Sequence, residues 1–514
     1  MSASDRETHP LGELTVVAVH IDDSTTTPKI LLEGTFSGPV PTAVSLLGTR
    51  QRLTGELVTT EGTWRADVPL LVSRWQSLPM APRSGAYRLQ AETEQGVAAV
   101  RVAAALPTAA LVKNVCRIAL HESADASGRQ TLVVDFAAPL TATEFGAEQQ
   151  ARLETQYRQA AYQPLDAVFF ESFFGQSASC NPLAIDRALA ELRPDIARYW
   201  SVADASVTVP EGAIALLEGS EEWWRIRGCA RLLVINDWTR KKFKKRAYQT
   251  VLQTWHGTML KKIAMSRPKF RPRAAVATIR ERARWDILLS ENPYSSRIFR
   301  SAYAYFGPIW EEGYPRNDVL RRGDGAALRR KLGIPDDVTV LLYAPTWRDN
   351  RPEQVDHLDV AAFANTLGPG YLTLIRGHSR TLRPGHDVYA ANVLDVTSYP
   401  DVSELFLAAD ALITDYSSVM FDYTVTGKPV FFFVPDLDNY RTKLRGFYFD
   451  LIEVAPGPVV RTSGELVSLI RDRDQLSADY AQKYAAWQKR FNPRDDGDAS
   501  RRVVNRLLAQ RMIG

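Results

Sequence analysis

Two short stretches of this chain combine residues that can move a proton with residues that can hold a phosphate. Thr254-Trp-His-Gly-Thr-Met-Leu-Lys-Lys follows an expected strand, Gln249–Gln253, so His256 stands just past a strand's carboxyl end with Gly257 beside it. Ligands of open α/β sheets collect at such ends. An imidazole titrates near ambient pH, and glycine lets backbone approach a ligand closely. The second stretch, Asp410-Ala-Leu-Ile-Thr-Asp-Tyr-Ser-Ser-Val-Met-Phe-Asp, reads as a strand (Ala411–Thr414), a turn bearing Ser417 and Ser418, and a helix from Val419. Unpaired N–H groups and the positive end of a helix dipole converge there, which suits phosphate. Asp and Ser are also the favoured capping residues, so locally both readings stand.

Two more strand ends carry polar groups. Val338–Tyr343 leads into Ala344-Pro-Thr-Trp-Arg-Asp with Thr346, and Tyr371–Arg376 into Arg-Gly-His-Ser with Arg376 and His378. A further buried strand, Lys428–Val434, precedes Asp436-Leu-Asp438. Paired carboxylates can hold a divalent ion that binds a diphosphate, but acids at that spacing are common in turns. Arginines can neutralise a diphosphate without an ion, so neither metal nor cofactor is expected.

The elements that must position these residues fall into three parts. Residues 1–106 hold short alternating runs, Glu13–His20, Lys29–Thr35, Thr63–Leu71 and Gly96–Val102, separated by Gly, Pro and Ser, as in a small all-β sandwich. That part carries no catalytic constellation and reads as an interaction or spacing module. Residues 107–320 alternate strands (Thr131–Phe136, Asp166–Glu171, Arg198–Val202, Ala213–Leu217, Arg231–Asn236) with helices (Asn181–Arg193, Glu221–Cys229). Residues 321–514 repeat that rhythm, with helices from Asp401, Val419, Glu465 and Ala478 over the sheet. Alternation of this kind means parallel sheets covered by helices. Gly307–Asp324, rich in Gly, Pro and charge, is expected to link the halves. The fold class is α/β: a pair of Rossmann-like domains facing a cleft, with an extra amino-terminal all-β domain.

A chain of 514 residues exceeds one core. Apolar residues at 45% and charged residues at 24% fit a globular protein rather than a disordered one. Cys116, Cys180 and Cys229 stand far apart, which supports neither a disulfide framework nor a thiolate zinc site and fits a reducing cytoplasm. The first ten residues lack an apolar signal core, and no run of about 18 apolar residues occurs. Export by that route and membrane spanning are not expected. Net charge is only +4, yet basic residues crowd segment 240–284: Arg240-Lys-Lys-Phe-Lys-Lys-Arg, then Lys261, Lys262, Arg267, Lys269, Arg271, Arg273, Arg280, Arg282 and Arg284. Such a block suits either a solvated face or contact with an anionic membrane or polymer. Aromatics within it are too sparse for a single-strand stacking platform, so no nucleic-acid role is expected.

Taken in order, Phe170-Glu-Ser-Phe-Phe-Gly with Cys180-Asn-Pro, Trp255-His-Gly-Thr, Gly313-Tyr-Pro-Arg-Asn-Asp, Tyr343-Ala-Pro-Thr-Trp-Arg-Asp, Arg376-Gly-His and Ile413-Thr-Asp-Tyr-Ser-Ser-Val-Met-Phe-Asp resemble the CDP-glycerol glycerophosphotransferase family, the teichoic acid polymerases and primases. The resemblance covers about Asp166 to Arg445 and says nothing of the first hundred residues. It implies a GT-B fold and transfer of an alditol phosphate from CDP-glycerol or CDP-ribitol to a hydroxyl of a lipid-linked polyol-phosphate or glycan acceptor, with release of CMP. It also implies His256 and His378 as the two site histidines. Gly257, Thr258, Arg316, Pro345, Thr346, Arg376, Gly377, Ser417, Ser418 and Asp422 are the implied donor-binding positions. Met259 stands where the family commonly has proline, which alters the loop's rigidity more than its chemistry.

Those roles are chemically coherent. A glycerol hydroxyl is a poor nucleophile near neutral pH, and His256 suits the general base. The leaving CMP gains charge, which Arg316, Arg376, the serines and a helix N-terminus can hold; His378 would bind phosphates or protonate the leaving group. A cytoplasmic enzyme peripheral on the inner face of the cell membrane is expected. A GT-B glycosyltransferase using a nucleotide sugar and a non-catalytic binder of anionic polymer remain the alternatives.

Overall fold

The computed structural model describes residues 12–514 except 25, 50, 108, 125–129, 269–270, 347–357, 378–389 and 438–445. Contacts divide the chain into two units. The first runs to Phe145 and takes in Ala203–Thr208; the second comprises nearly everything else from Gly146 to Gly514. The first ten residues, read above for a signal core, lie outside the described residues.

The first unit is built of strands β1 (Glu13–Asp22), β2 (Lys29–Ser37), β3 (Pro41–Leu47), β4 (Arg52–Thr54), β5 (Glu56–Thr60) and β6 (Thr63–Pro69). It continues with β7 (Gly85–Thr93), β8 (Gly96–Val102), β9 (Ala110–Val112), β10 (Cys116–Ala124) and β11 (Gln130–Ala137). They pair in the order β5-β6-β2-β1-β8-β7-β11-β10-β9, with β3 joined to β7 and β4 to β3. All pairings but β1 with β8 are antiparallel. Alternation drives this: in β7 every second residue from Tyr87 to Thr93 is buried, and such faces meet in a core that includes Val16, Leu32, Leu46, Trp64, Leu89 and Val134. Thr131–Phe136, expected in the parallel sheet, lies instead in β11, antiparallel to β7 and β10. Its Leu132-Val133-Val134 run is buried on both faces, and such a run reads alike in either sheet type.

The second unit holds two all-parallel sheets. The first contains β12 (Leu165–Glu171), β13 (Ala197–Val202), β14 (Ile214–Leu217), β15 (Ala230–Ile235), β16 (Thr250–Gln253), β17 (Ile287–Ser290) and β18 (Ile309–Glu311), in the order β14-β13-β12-β15-β16-β17-β18. The other contains β19 (Thr339–Ala344), β20 (Tyr371–Ile375), β21 (Val393–Asp395), β22 (Ala411–Thr414), β23 (Val430–Phe433) and β24 (Val459–Val460), in the order β21-β20-β19-β22-β23-β24. Residues of β17, β22 and β23 are buried throughout, as strands covered on both faces must be. This is the GT-B-like pair of Rossmann-like sheets, with the antiparallel unit before it. In each sheet the order reverses once, between β12 and β15 and between β19 and β22. Ligands of such sheets bind outside the carboxyl ends at the reversal.

Helices start where capping residues fall. Asp401 accepts Ser403 N–H at 2.9 Å, Asn292 accepts Ser295 N–H at 2.8 Å, and Thr462 with Glu465 forms a reciprocal capping box. The expected linker Gly307–Asp324 instead contains β18 and the buried Tyr314, Arg316 and Asn317. Gly313, at φ 81°, has its missing Cβ position 2.6 Å from Arg494 O, so the chain turns there against a packed neighbour. After the helix Arg473–Phe491 of the second half, the chain returns to the first. There the helix Ala499–Ala509 packs on Cys180–Leu192, and Asp318 accepts the N–H groups of Ala499 and Ser500 at 2.9 and 2.8 Å.

In β2, a Cβ on Gly34 would lie 1.9 Å from Thr15 O and 2.7 Å from the Trp64 ring nitrogen. Gly34→Ala is expected to lower stability by about 1–3 kcal/mol through overpacking, read as a lower denaturant midpoint.

Candidate active site

His256 sits on a strained loop at the end of β16. Thr254 N–H pairs with Ile235 O at 2.7 Å, after which Trp255 adopts φ 56°. A left-handed backbone at a bulky residue is costly and persists only where neighbours enforce it. Asn181 does so: its Nδ2 donates to the carbonyls of Thr254 and Trp255 at 3.1 and 3.2 Å. Trp255 then packs edge-on against Phe299 and Tyr303 and stacks on the His256 ring, centroids 5.1 Å apart at 17°. Phe173, Phe174 and Cys180, at φ 46°, 58° and 65°, are also left-handed, and the Phe173 ring meets His256 edge-on at 5.6 Å. Strained residues therefore cluster around this imidazole.

The tautomer follows from one contact. His256 Nδ1 lies 2.6 Å from the backbone carbonyl of Asn236. A carbonyl only accepts, so Nδ1 carries the hydrogen and Nε2 keeps its lone pair. Burial pushes the imidazole below its ordinary range, and the guanidinium of Arg316 pushes the same way. The Asp237 carboxylate and the Asn236 carbonyl oppose the shift without cancelling it. A neutral imidazole with a free Nε2 is a proton acceptor in wait.

Across the second sheet's reversal, Asp415 closes the turn after β22 by accepting the N–H groups of Thr346, at 2.9 Å, and Tyr416. This draws Pro345 and Thr346, at the end of β19, beside the Ser417-Ser418 turn. The two serine hydroxyls are half-buried and make no hydrogen bond among the described residues. A Cβ on Gly257 would stand 3.0 Å from Ser418 Oγ, so the histidine loop and the serine turn touch between the two sheets. Arg376, at the end of β20, anchors Nη1 on the carbonyls of Tyr399 (2.8 Å) and Val396 (3.4 Å). Its Nε and Nη2 make no hydrogen bond among the described residues, and burial pushes its guanidinium down to about 10. Gly377 N–H binds Thr397 Oγ1 at 2.9 Å. His378 and Asp438 lie outside the described residues. Asp436 accepts from Tyr416 OH at 3.2 Å, and among the described residues no group of three or more His, Cys, Asp or Glu could hold a metal.

Thr258, Arg316 and Asp422 face inward instead. Arg316 and Asp422 form an ion pair at 2.7 Å. The hydroxyl of Thr258 donates to Glu291, a residue sequence reading missed. Glu291 belongs to a buried polar cluster: Asn317 Nδ2 and Asn492 Nδ2 reach Glu291 Oε1 at 3.4 and 3.3 Å and Asp495 Oδ2 at 3.3 and 3.1 Å. Burial, then the nearby Asp495 and Asp422, push the Glu291 carboxyl well above the carboxylate range, and burial pushes Asp495 up as well. Asn181, Asn236, Asp237, Glu291 and Asp495 were thus overlooked. Signals existed for some of them: Asn181 lies in Cys-Asn-Pro, Asn236-Asp237 follows a strand, and Glu291-Asn292-Pro293 joins a strand end to a helix cap.

A family model described as CDP-Glycerol:Poly(glycerophosphate) glycerophosphotransferase matches residues 155–509. The chain belongs to this family. Among relatives, a teichoic acid poly(glycerol phosphate) polymerase of Bacillus subtilis (strain 168) is 36% identical over 361 residues, 66% of this chain and 48% of its own length. That of Staphylococcus epidermidis is 38% identical over 359 residues, 65% of this chain and 49% of its own. The matches thus span about half the length of these two relatives. A teichoic acid glycerol-phosphate transferase of Staphylococcus aureus is 35% identical over 363 residues, 66% of this chain and 92% of its own. The structure of a variant of the wall teichoic acid polymerase TagF, soaked with CDPG, superposes with a TM-score of 0.66 at 34% identity, covering 71% of this chain and 94% of that one. The CDP-glycerol glycerophosphotransferase match begins at residue 155, so strands β1 to β11 precede it and are unmatched by the family model.

Two outcomes follow for this chain. Asp237→Asn removes a group that raises the His256 pKa, so the imidazole pKa should fall further, as measured by NMR of histidine-labelled protein. Glu291, with its pKa raised by folding, adds stability below about pH 4.5 that is lost as pH climbs through the folded value. Glu291→Gln mimics the protonated form without that loss. Its Tm relative to wild type should therefore rise as pH climbs above about 4.5, as followed by calorimetry.

Proposed function

We propose that this chain transfers glycerol phosphate from CDP-glycerol to a terminal hydroxyl of a lipid-linked polyol-phosphate or glycan acceptor, releasing CMP, and does so repeatedly as a polymerase. The observation that carries the reading is the approach of the His256 loop to the Ser417-Ser418 turn, a proton acceptor facing a phosphate seat, in a chain of this family. His256 Nε2 takes the proton as the acceptor oxygen bonds to the glycerol-bearing phosphorus, and the bridging P–O bond breaks toward CMP. Donor ligands are Ser417, Ser418, Thr346, the unspent N–H groups of Arg376 and the backbone around Gly257, Pro345 and Gly377. His378 is, by its motif, the second histidine, binding phosphate or protonating the departing CMP. Glycerol is preferred to ribitol because a poly(glycerol phosphate) polymerase and a glycerol-phosphate transferase each match 66% of the chain, whereas a poly(ribitol-phosphate) polymerase matches 34%.

The membrane half of the reading narrows. Much of the run from Arg240 to Arg246 is spent internally: Arg240 pairs with Glu218 at 2.7 Å, Lys242 with Glu154 at 2.8 Å and Lys245 with Asp286, while Arg246 binds Tyr157 O. The helix Pro272–Arg282 is different. It exposes Arg271, Arg273 and Arg280 alongside Val276 and Ile279, which are 46% and 44% exposed. Cations flanking exposed aliphatics suit the anionic inner face of a membrane, and no helix of the described residues is long and apolar enough to cross one.

The test is CMP release by purified protein given CDP-glycerol or CDP-ribitol, a short lipid-linked acceptor and EDTA. Expected is acceptor-dependent release with CDP-glycerol that falls by about 10²–10⁴-fold in His256→Ala. No release with either donor from folded protein would favour a nucleotide-sugar transferase, and undiminished release in His256→Ala would remove the base.

A further inference from the structure

Arg316 has no hydrogen left for a ligand. A guanidinium offers five N–H donors. Arg316 Nε donates to Asp422 Oδ1 at 3.0 Å, and Nη2 to Oδ1 and Oδ2 of the same carboxylate at 2.8 and 2.7 Å. Nη1 donates to the His256 carbonyl at 2.8 Å and to Cys180 Sγ at 3.2 Å. The two side chains are 8% and 4% exposed, the Arg316 backbone N–H is held by Asn181 Oδ1 at 3.1 Å, and the guanidinium lies over the Tyr314 ring at 5.0 Å. To bind a diphosphate, this arginine would have to abandon a buried bidentate partner. Arg376, at the corresponding kind of strand end, keeps Nε and Nη2 unengaged among the described residues.

Asp422 lies on the short helix Val419–Tyr423 that follows Ser418 directly. The chain of contacts therefore runs from the serine turn through that helix to Asp422, across to Arg316, and from Arg316 to the backbone carbonyl of His256. Asn181 closes the circuit, since one amide holds the carbonyls of Thr254 and Trp255 and the N–H of Arg316. We propose that Arg316 and Asp422 are positioning residues, which fix the general base relative to the phosphate seat across the two halves, and are not ligands of the donor diphosphate. This rests on the proposed transfer for its kinetic consequence, but not for its structural one. A shift of the serine turn is transmitted to the His256 backbone through a rigid two-point clamp, and a misplacement of about 1 Å at the base is costly to the chemical step.

The experiment uses the full chain with Arg316→Lys, Arg316→Gln, Asp422→Asn and the double variant Arg316→Gln/Asp422→Asn. CDP-glycerol affinity is read by calorimetry without acceptor, kcat and KM by CMP release, and the His256 imidazole by NMR without donor. The expected result is a loss of about 10²-fold in kcat with donor Kd and KM held within a few fold. The double variant should be no worse than the poorer single one, because the two groups act as a unit. Asp422→Asn should also move the His256 resonance in donor-free protein, although Asp422 makes no bond to that residue. Loss of about tenfold or more in donor affinity with an unmoved His256 signal would make the pair donor ligands and overturn the proposal, as would unchanged kcat. If the glutamine and asparagine variants fail to fold, Arg316→Lys and Asp422→Glu carry the same measurements. Wild-type protein that neither binds nor consumes CDP-glycerol would refute the proposed transfer alone. The response of His256 to Asp422→Asn would still decide the positioning role.

Discussion

A guanidinium buried between two loops dictates how the parallel sheets of the second unit can meet. Taking one ion out of water costs several kcal/mol, and leaving it without its partner costs about 3–5 kcal/mol. Arg316 comes from the first sheet and Asp422 from the second, so neither half can reach its buried arrangement without the other. Thr258, Glu291, Asn317, Asn492 and Asp495 meet the same problem beside it: two asparagine amides serve both acids, and burial with the neighbouring carboxylates raises the Glu291 pKa. Carboxyls this close in a buried site favour the neutral form. These groups fill the seam where the carboxyl ends converge, so the His256 loop is held by polar contacts with fixed directions rather than by apolar packing alone.

That explains what was legible in the sequence and what was not. Strands such as Ala411–Thr414 are short apolar runs, and their ends carry Thr346, Arg376, Ser417 and His256, so strand-end chemistry could be read from local pattern. Partnership could not. Arg316 meets Asp422 across 106 residues of sequence and Asn317 meets Asp495 across 178, so Gly313-Tyr-Pro-Arg-Asn-Asp reads locally as a charged, turn-rich linker. The basic block shows the same limit. Lys242 and Lys245 are neutralised by Glu154 and Asp286, outside the run that made them look like a patch. The antiparallel unit's last strand was assigned to the wrong sheet because Leu-Val-Val carries no record of strand direction.

The imidazole shows how backbone rather than side chains can set chemistry. Its Nδ1 hydrogen is fixed by the Asn236 carbonyl at the end of β15, one strand over from β16. Adjacent parallel strands in register put that carbonyl where the loop after β16 must pass, provided Trp255 accepts a left-handed turn. The strain at Trp255 is the cost of presenting the ring, and the amide of Asn181 with the stacked indole keeps it there. Met259 in place of proline fits this account. Its carbonyl accepts from Tyr294 OH at 2.7 Å and its side chain is buried, so the loop is fixed beyond Thr258 by packing where a proline ring would fix it by its own covalent stiffness.

Two arginines at strand-end motifs illustrate why residue type alone does not assign a role. Both are cations in motifs that point to phosphate, and both are largely removed from water. They differ in how their donors are spent. The Arg316 fork is matched edge to edge by a carboxylate, the geometry that guanidinium binds most specifically, and its remaining nitrogen is used on sulfur and carbonyl. Arg376 is anchored by one nitrogen on two carbonyls, which orients the plane, while its Nε and Nη2 make no hydrogen bond among the described residues. Burial lowers its pKa against the opposing pull of Asp401, and an arriving diphosphate would supply further counter-charge. A saturated cation is a structural element. An oriented and unsaturated one is a binding element, and the distinction emerges only when hydrogen bonds are counted donor by donor.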